Sequence, residues 1–171
     1  MLSGLRRAEA QVYGDRVRIW TTDPSPELVA AFAVIARTRM HDVPICNACL
    51  QVEAVGFQRR PDGHWAGAMI TPWAINLLCL PGQLEGWPAL PACAKHDWHF
   101  PSGDYEFTVA GEDSIGLYHL CSLFSPALEF DSHEAARLTA LAAVHALFAD
   151  PLAEPPAARA TSRRAFLGLG R

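Results

Sequence analysis

The stretch that decides the fold is residues 50–71, LQVEAVGFQRRPDGHWAGAMIT. In its first half Leu50, Val52, Ala54 and Gly56 alternate with Gln51, Glu53, Val55 and Phe57, the period of two expected of an extended strand. Pro61-Asp62-Gly63 then supplies a turn, with proline fixing φ and glycine tolerating a left-handed backbone. The run from His64 to Thr71 follows at once, so the segment reads as a β-hairpin. Downstream, Ile75 to Leu80 is a further strand and Pro81 to Pro91 a loop. Strands around Trp98 to Phe100, Tyr105 to Val109 and Ile115 to Phe124 follow, the last two separated by the turn Ala110-Gly111-Glu112-Asp113. Short consecutive strands with tight turns predict an antiparallel meander rather than a parallel sheet.

A helix is expected on each side of this β region. On the N-terminal side, Ser25 is placed as N-cap, Pro26 in the first turn and Glu27 at the positive end of the helix dipole. Leu28, Phe32 and Ile35 recur at helical spacing, and Pro44 forbids continuation. On the C-terminal side, Asp131 with Glu134 forms a capping-box-like start for a helix from about Ser132 to Ala149. Leu138, Leu141, His145 and Phe148 define its apolar face, with His145 expected as a hydrogen-bonded core residue. Both helices are expected to cover one face of the sheet. The predicted fold class is α+β, an antiparallel sheet meander covered by two amphipathic helices, with a flexible C-terminal tail. The chain divides into an N-terminal extension (1–24), a single α+β domain (25–150) and a Pro/Ala-rich linker with a short tail (151–171).

With 171 residues, half of them hydrophobic and 19% charged, the chain has the composition of one globular domain. A net charge of −4 offers no basic surplus for displacing counterions from nucleic acid. It would suit a basic peptide or a basic partner face. No stretch reaches the ~20 apolar residues of a membrane span. The N-terminal segment carries arginines without the apolar run of a secretory signal. Five cysteines, an odd number without the spacing of a disulfide scaffold, fit a reducing compartment, so the cytoplasm is the expected location.

Catalytic chemistry finds little support. Cys46-Asn47-Ala48-Cys49 is a C-x-x-C, but a zinc or iron–sulfur site needs further ligands. Of the other cysteines, Cys79 sits inside an apolar strand, leaving Cys93 and Cys121. A thioredoxin-type pair would stand between a strand and a helix, whereas this one follows a helix and precedes a strand. The pair reads as small loop or buried cysteines, and no metal ligands or cofactor are assigned. His96-Asp97-Trp98-His99 has the residue types of an acid–base or metal site. No H-E-x-x-H, nucleophile elbow or phosphate loop accompanies it. Aromatic side chains beside prolines and in short loop stretches are more suggestive. Trp73 follows Thr71-Pro72, Trp87 precedes Pro88, and Trp98, Phe100 and Tyr105 crowd together, a pattern suited to peptide contact.

The β region resembles the HybE/HupJ family. The resemblance is carried by Val52-Glu53-Ala54-Val55-Gly56-Phe57, Thr71-Pro72-Trp73-Ala74-Ile75-Asn76-Leu77 and Trp87-Pro88-Ala89-Leu90-Pro91. Phe100-Pro101-Ser102-Gly103-Asp104-Tyr105-Glu106-Phe107 and Cys121-Ser122-Leu123-Phe124-Ser125-Pro126-Ala127-Leu128-Glu129-Phe130 continue it in order, from roughly Phe32 to Phe148. The resemblance implies a non-enzymatic chaperone of nickel–iron hydrogenase assembly. Such a chaperone would bind the small-subunit precursor, at or near its twin-arginine signal peptide, and delay export until assembly is complete. It leaves contact with the large subunit and the oligomeric state open. The partner-binding residues it suggests are Trp73, Asn76, Trp87, Tyr105, Glu106, Phe124 and Glu129. A cysteine-based metal or iron–sulfur carrier for hydrogenase assembly is the alternative.

The tail holds Ser162-Arg163-Arg164-Ala165-Phe166-Leu167, the core pattern of a twin-arginine signal. At average residue usage such a match arises at about one position in a million. At the C-terminus, with no apolar run behind it, it cannot act as a targeting signal. Ser162, Arg163, Arg164, Phe166 and Leu167 are therefore expected to mimic a client signal and occupy the client-binding groove, with Glu53, Glu106 and Glu129 as candidate carboxylates for the arginines.

Overall fold

The hairpin forms around Pro61-Asp62-Gly63, with β1 (Glu53–Arg59) antiparallel to β2 (Trp65–Ile70). β1 starts three residues later than the alternation suggests. It carries a bulge, with Gly56 and Phe57 lying opposite the single residue Gly67. Gly56 takes φ +63°, which a glycine adopts without strain. A Cβ on Gly67 would lie 2.5 Å from Cγ of Phe57, so only glycine lets that ring lie across β2.

The computed structural model describes residues 17–150. The residues assigned to linker and tail, among them Ser162, Arg163, Arg164, Phe166 and Leu167, lie outside the described residues. The remaining strands are β3 (Ile75–Leu80), β4 (Lys95–Phe100), β5 (Gly103–Glu112) and β6 (Gly116–Phe124). β5 outruns its expected end because Ala110 and Gly111 pair with Tyr118 and Leu117, which moves the turn to residues 113–115. All six strands form one antiparallel sheet in the order β1-β2-β3-β6-β5-β4. The predicted fold class is the observed one, with the meander divided into two three-stranded units that meet where β3 pairs with β6.

The helices are α1 (Ser25–Arg37) and α2 (His133–Phe148). They cover opposite faces of the sheet, not one face as expected. Leu28, Ala31 and Phe32 of α1 pack with Met69, Leu78, Leu80, Ile115 and Tyr118. Ala136, Ala140, Val144 and Leu147 of α2 pack with Ala66, Ala68, Ile70, Ile75, Leu77 and Phe107. The reason lies in β2 and β3, which are apolar on both sides and need a cover on each. Trp20, just upstream of α1, joins the α1-side cluster, and the Trp65 indole N–H donates to its carbonyl at 2.8 Å.

Three local expectations are corrected. Pro24, not Ser25, is the N-cap of α1; Ser25 is its first residue and donates from Oγ to the Asp23 carboxylate at 2.6 Å. At α2 the cap is Ser132 rather than Asp131, its Oγ accepting from the Ala135 amide. The buried stripe of α2 consists of Ala136, Ala140, Val144 and Leu147, while Leu138 is 59% exposed and His145 faces solvent. Leu141 and Phe148, two of the four expected residues, are partly buried and pack against the same core, the Phe148 ring 5.6 Å from Phe100. A Cβ on Gly56 would stand 3.1 Å from Val144.

Candidate functional site

Two clusters of functional side chains stand on opposite sides of the sheet. On the α2 side, the loop after β3 carries Trp87 into a nest with His64, Trp98 and His119. The rings of Trp87 and His119 are 4.5 Å apart, and those of Trp98 and His119 are 5.7 Å apart. The Trp98 indole N–H donates to Nδ1 of His119 at 2.9 Å, which requires an unprotonated nitrogen there. Burial, reinforced by His96 and His64, pulls the His119 pKa down to about 4. His64 is 1% exposed, and its pKa is lowered chiefly by burial. Its Nε2 has no hydrogen-bond partner among the described residues.

Arg60 closes this nest. Its guanidinium lies over Phe100 and Trp98 at 4.2 and 4.8 Å and bonds the Asp62 carboxylate through Nε and Nη2. Burial alone would raise the Asp62 pKa, but the bonds from Arg60 and from the His64 amide hold it below the usual carboxylate range. Apart from Nε2 of His64, the polar groups of the nest bond one another, which makes it chiefly a packing unit. Of the His96-Asp97-Trp98-His99 quartet, His96 and Trp98 touch the nest. His99 instead pairs with Asp104 at 2.7 Å in an exposed position. The four do not converge on one point.

On the α1 side the chemistry is open. A cleft of about 580 Å³ runs between α1 and the β5–β6 turn. Ala30, Ala31, Val34 and Ile35 give it an apolar floor, and Val34 is 50% exposed. Glu27 stands on the helix side, while Glu112 and Asp113 face it from the turn. Two arginines of the chain already lie on these carboxylates. Arg18 bonds Glu27 and donates to the Ser114 carbonyl at 3.1 Å; Arg39 meets Glu112 at 2.5 Å. The arginines are 41% and 59% exposed, Glu112 is 23% exposed, and Arg18 also lies over the Trp20 ring at 4.0 Å. Beneath the rim, burial and the nearby Glu112 push the Tyr118 hydroxyl up to about 12, so it stays neutral. An apolar floor with carboxylates on two sides can hold a peptide that carries basic and apolar side chains together.

The residues singled out in the sequence are dispersed. Trp87 is buried in the nest, Tyr105 bonds Ser102 at 2.9 Å beside Phe100, and Phe124 packs edge-on against Phe130. These three pack against the α2-side core. Trp73 packs against the α1-side core, Glu106 is exposed and bonded to Lys95, and Asn76 lies opposite Ser122 in the β3·β6 ladder. Glu129 is exposed in the segment before α2. Glu53 is engaged by His133 and Arg137 at 2.7 and 2.9 Å. Cys46 donates to the Met40 carbonyl and Cys49 is exposed. Among the described residues no three His, Cys, Asp or Glu side chains are placed to hold a metal ion. Between the two cysteines, Asn47 donates to the carbonyls of Ala127 and Phe130, which gives that segment a structural task.

Sequence reasoning missed Glu27, Val34, Arg39, Glu112 and Asp113. The usable signal was Val34, one step off the Leu28–Phe32–Ile35 stripe and apolar where a solvated side chain was due.

Residues 23–169 match the family described as NiFe-hydrogenase assembly, chaperone, HybE. Protein HoxT of Cupriavidus necator is 39% identical over 168 residues, covering 90% of this chain and 88% of that protein. A protein named Probable rubredoxin HupJ, from Rhodobacter capsulatus, is 41% identical over 105 residues; the match takes in 61% of this chain and 37% of that protein. The solution structure of HybE from Escherichia coli superposes with a TM-score of 0.63 at 28% identity, covering 91% of this chain and 94% of that one. The antiparallel sheet flanked by two helices and the match over most of the sequence agree: the chain belongs to the HybE family of nickel–iron hydrogenase assembly chaperones.

Proposed function

We propose that the protein binds the precursor of a nickel–iron hydrogenase small subunit at its twin-arginine signal peptide, in the cytoplasm, and delays its export until assembly is complete. The observation that carries this reading is the cleft beside α1, with its apolar floor and carboxylates on both sides. A signal peptide of this kind offers adjacent arginines followed by apolar side chains. Guanidinium groups pair with carboxylates in a bidentate fork, each such bond contributing about 1.5–3 kcal/mol. Arg18 and Arg39 hold the same carboxylates from side chains that are 41% and 59% exposed, so an incoming arginine exchanges with them like for like. Trp73, Asn76, Trp87, Tyr105, Glu106, Phe124 and Glu129 then serve the sheet and its surroundings, or a second contact with the folded subunit.

Titration calorimetry with a small-subunit signal peptide tests this reading. Replacing both peptide arginines by lysine keeps the charge and removes the fork, so affinity should fall by about tenfold or more. Equal binding of the two peptides would remove the recognition argument. Absence of binding to either would move the contact to the folded subunit.

A further inference from the structure

We infer that the cleft beside α1 is the docking site of the chain's own C-terminal segment, residues 161–171, and that this segment competes there with the client. The inference rests on the signal-peptide reading above for its regulatory meaning, but not for its chemistry. Residues 161–171, TSRRAFLGLGR, contain three arginines and no acid, and place Phe166 and Leu167 directly after the arginine pair. The cleft sets Glu27, Glu112 and Asp113 around Ala30, Ala31 and Val34, with Arg39 also in its lining and paired to Glu112. Charge and apolarity match in kind. On the other face Glu53 is held by His133 and Arg137 together, whereas Glu27 and Glu112 each hold one arginine, Arg18 and Arg39.

The length of the intervening chain is sufficient. The end of α2 is fixed at the β4–β5 turn, where Ser102 Oγ donates to the Leu147 carbonyl at 2.9 Å. The cleft lies at the opposite end of β5, nine residues along from Gly103 to Glu112, or about 30 Å. From Asp150 to Arg163 there are thirteen residue steps, which extend to roughly 43–47 Å. The surplus carries the chain around the exposed edge strand β4 and onto the α1 face. The connection is taut, so the docked state depends on linker length. A segment so tethered occupies its site without reference to protein concentration.

The test uses full-length protein throughout, with a synthetic peptide of residues 161–171 as the calorimetric probe. Three chains are compared: the native one, Arg163→Ala/Arg164→Ala, and one lacking residues 152–157. Seven steps remain in the shortened chain, about 23–25 Å, too few to reach the cleft. If the docked segment leaves the cleft free a tenth of the time, the native chain binds the probe about tenfold more weakly than either altered chain. Adding Glu112→Gln to the altered chains should weaken the probe again. Equal affinity across the three chains overturns the inference. So does release by the arginine replacements without release by shortening, because the segment would then come from a neighbouring copy. A hydrogenase signal peptide as second probe separates the two readings. Altered chains that bind the tail peptide but not the signal peptide leave this inference standing and remove the proposed function. Signal-peptide binding of equal strength in all three chains, with no binding of the tail peptide, does the reverse.

Discussion

The two faces of the sheet share the same six strands and use them differently. Under α2 the core side chains are closely packed: Phe100 and Phe107 are fully buried, Arg60 and Asp62 bond one another, and two histidines lie beside Trp87, with a cleft of about 390 Å³ at the edge beside Arg60, Phe100 and Phe148. Beside α1 the packing stops short, leaving an apolar floor in contact with water and ion pairs whose arginines reach solvent. Both faces hold a buried core, with Leu28, Leu78 and Ile115 on the α1 side, and the proposed recognition falls on the face that also carries the cleft. Substitutions at the cleft rim should therefore affect binding, and substitutions in the α2-side core folding.

The largest effect should follow truncation on the closed face. Phe107→Ala leaves a cavity beneath α2 and should cost about 3–5 kcal/mol in chemical denaturation. A loss below about 1 kcal/mol would mean that this face is less tightly packed than its burial indicates.

Acid should act on the same face with intermediate strength. His64 and His119 have lowered pKa values in the folded state, so below about pH 6.5 the unfolded chain binds protons that the folded one refuses. Stability should be complete above that pH and decline as pH falls toward the His119 value of about 4. His119 alone should contribute a loss of roughly 2–3 kcal/mol across that window. Urea midpoints between pH 7.5 and 4.5 measure it, and His119→Gln should flatten the slope. A wild-type midpoint that is flat over this range would show the histidines to be accessible to protons without unfolding.

The smallest effect on stability should come from the open face. Glu112→Gln removes one exposed ion pair with Arg39 and should change stability by less than about 1 kcal/mol. The same substitution should weaken signal-peptide binding about tenfold, the loss of one charge-assisted bond. A variant that destabilises the fold while leaving affinity intact would invert the comparison.

Most of the fold could be read from residue order because strands announce themselves locally. The hairpin at residues 50–71 and the apolar run Ile75–Leu80 need only period, turn chemistry and length. The disposition of the helices could not be read this way. Spacing places Leu138, Leu141, His145 and Phe148 on one face of α2, but the helix is rotated so that Ala136, Ala140, Val144 and Leu147 are buried, Leu141 and Phe148 pack at the margin, and Leu138 is exposed. The cleft was harder still to see. Glu27 and Glu112 are eighty-five positions apart, ordinary in isolation, and meaningful only once α1 lies against the β5–β6 turn.

The strand order has a consequence for how the chain finds its fold. β1 to β3 form one local unit and β4 to β6 another, each closed by neighbouring turns. The seam between them joins Cys79 to His119, forty positions apart, and no short turn assists it. Loop-closure entropy grows with the length enclosed, and distant pairings slow folding. The seam is where the search has most to overcome, and the loop that carries Trp87 to His64 and His119 spans the same interval. That ring contact ties the two halves together independently of the backbone ladder, a second clasp on the joint that local structure is least able to close.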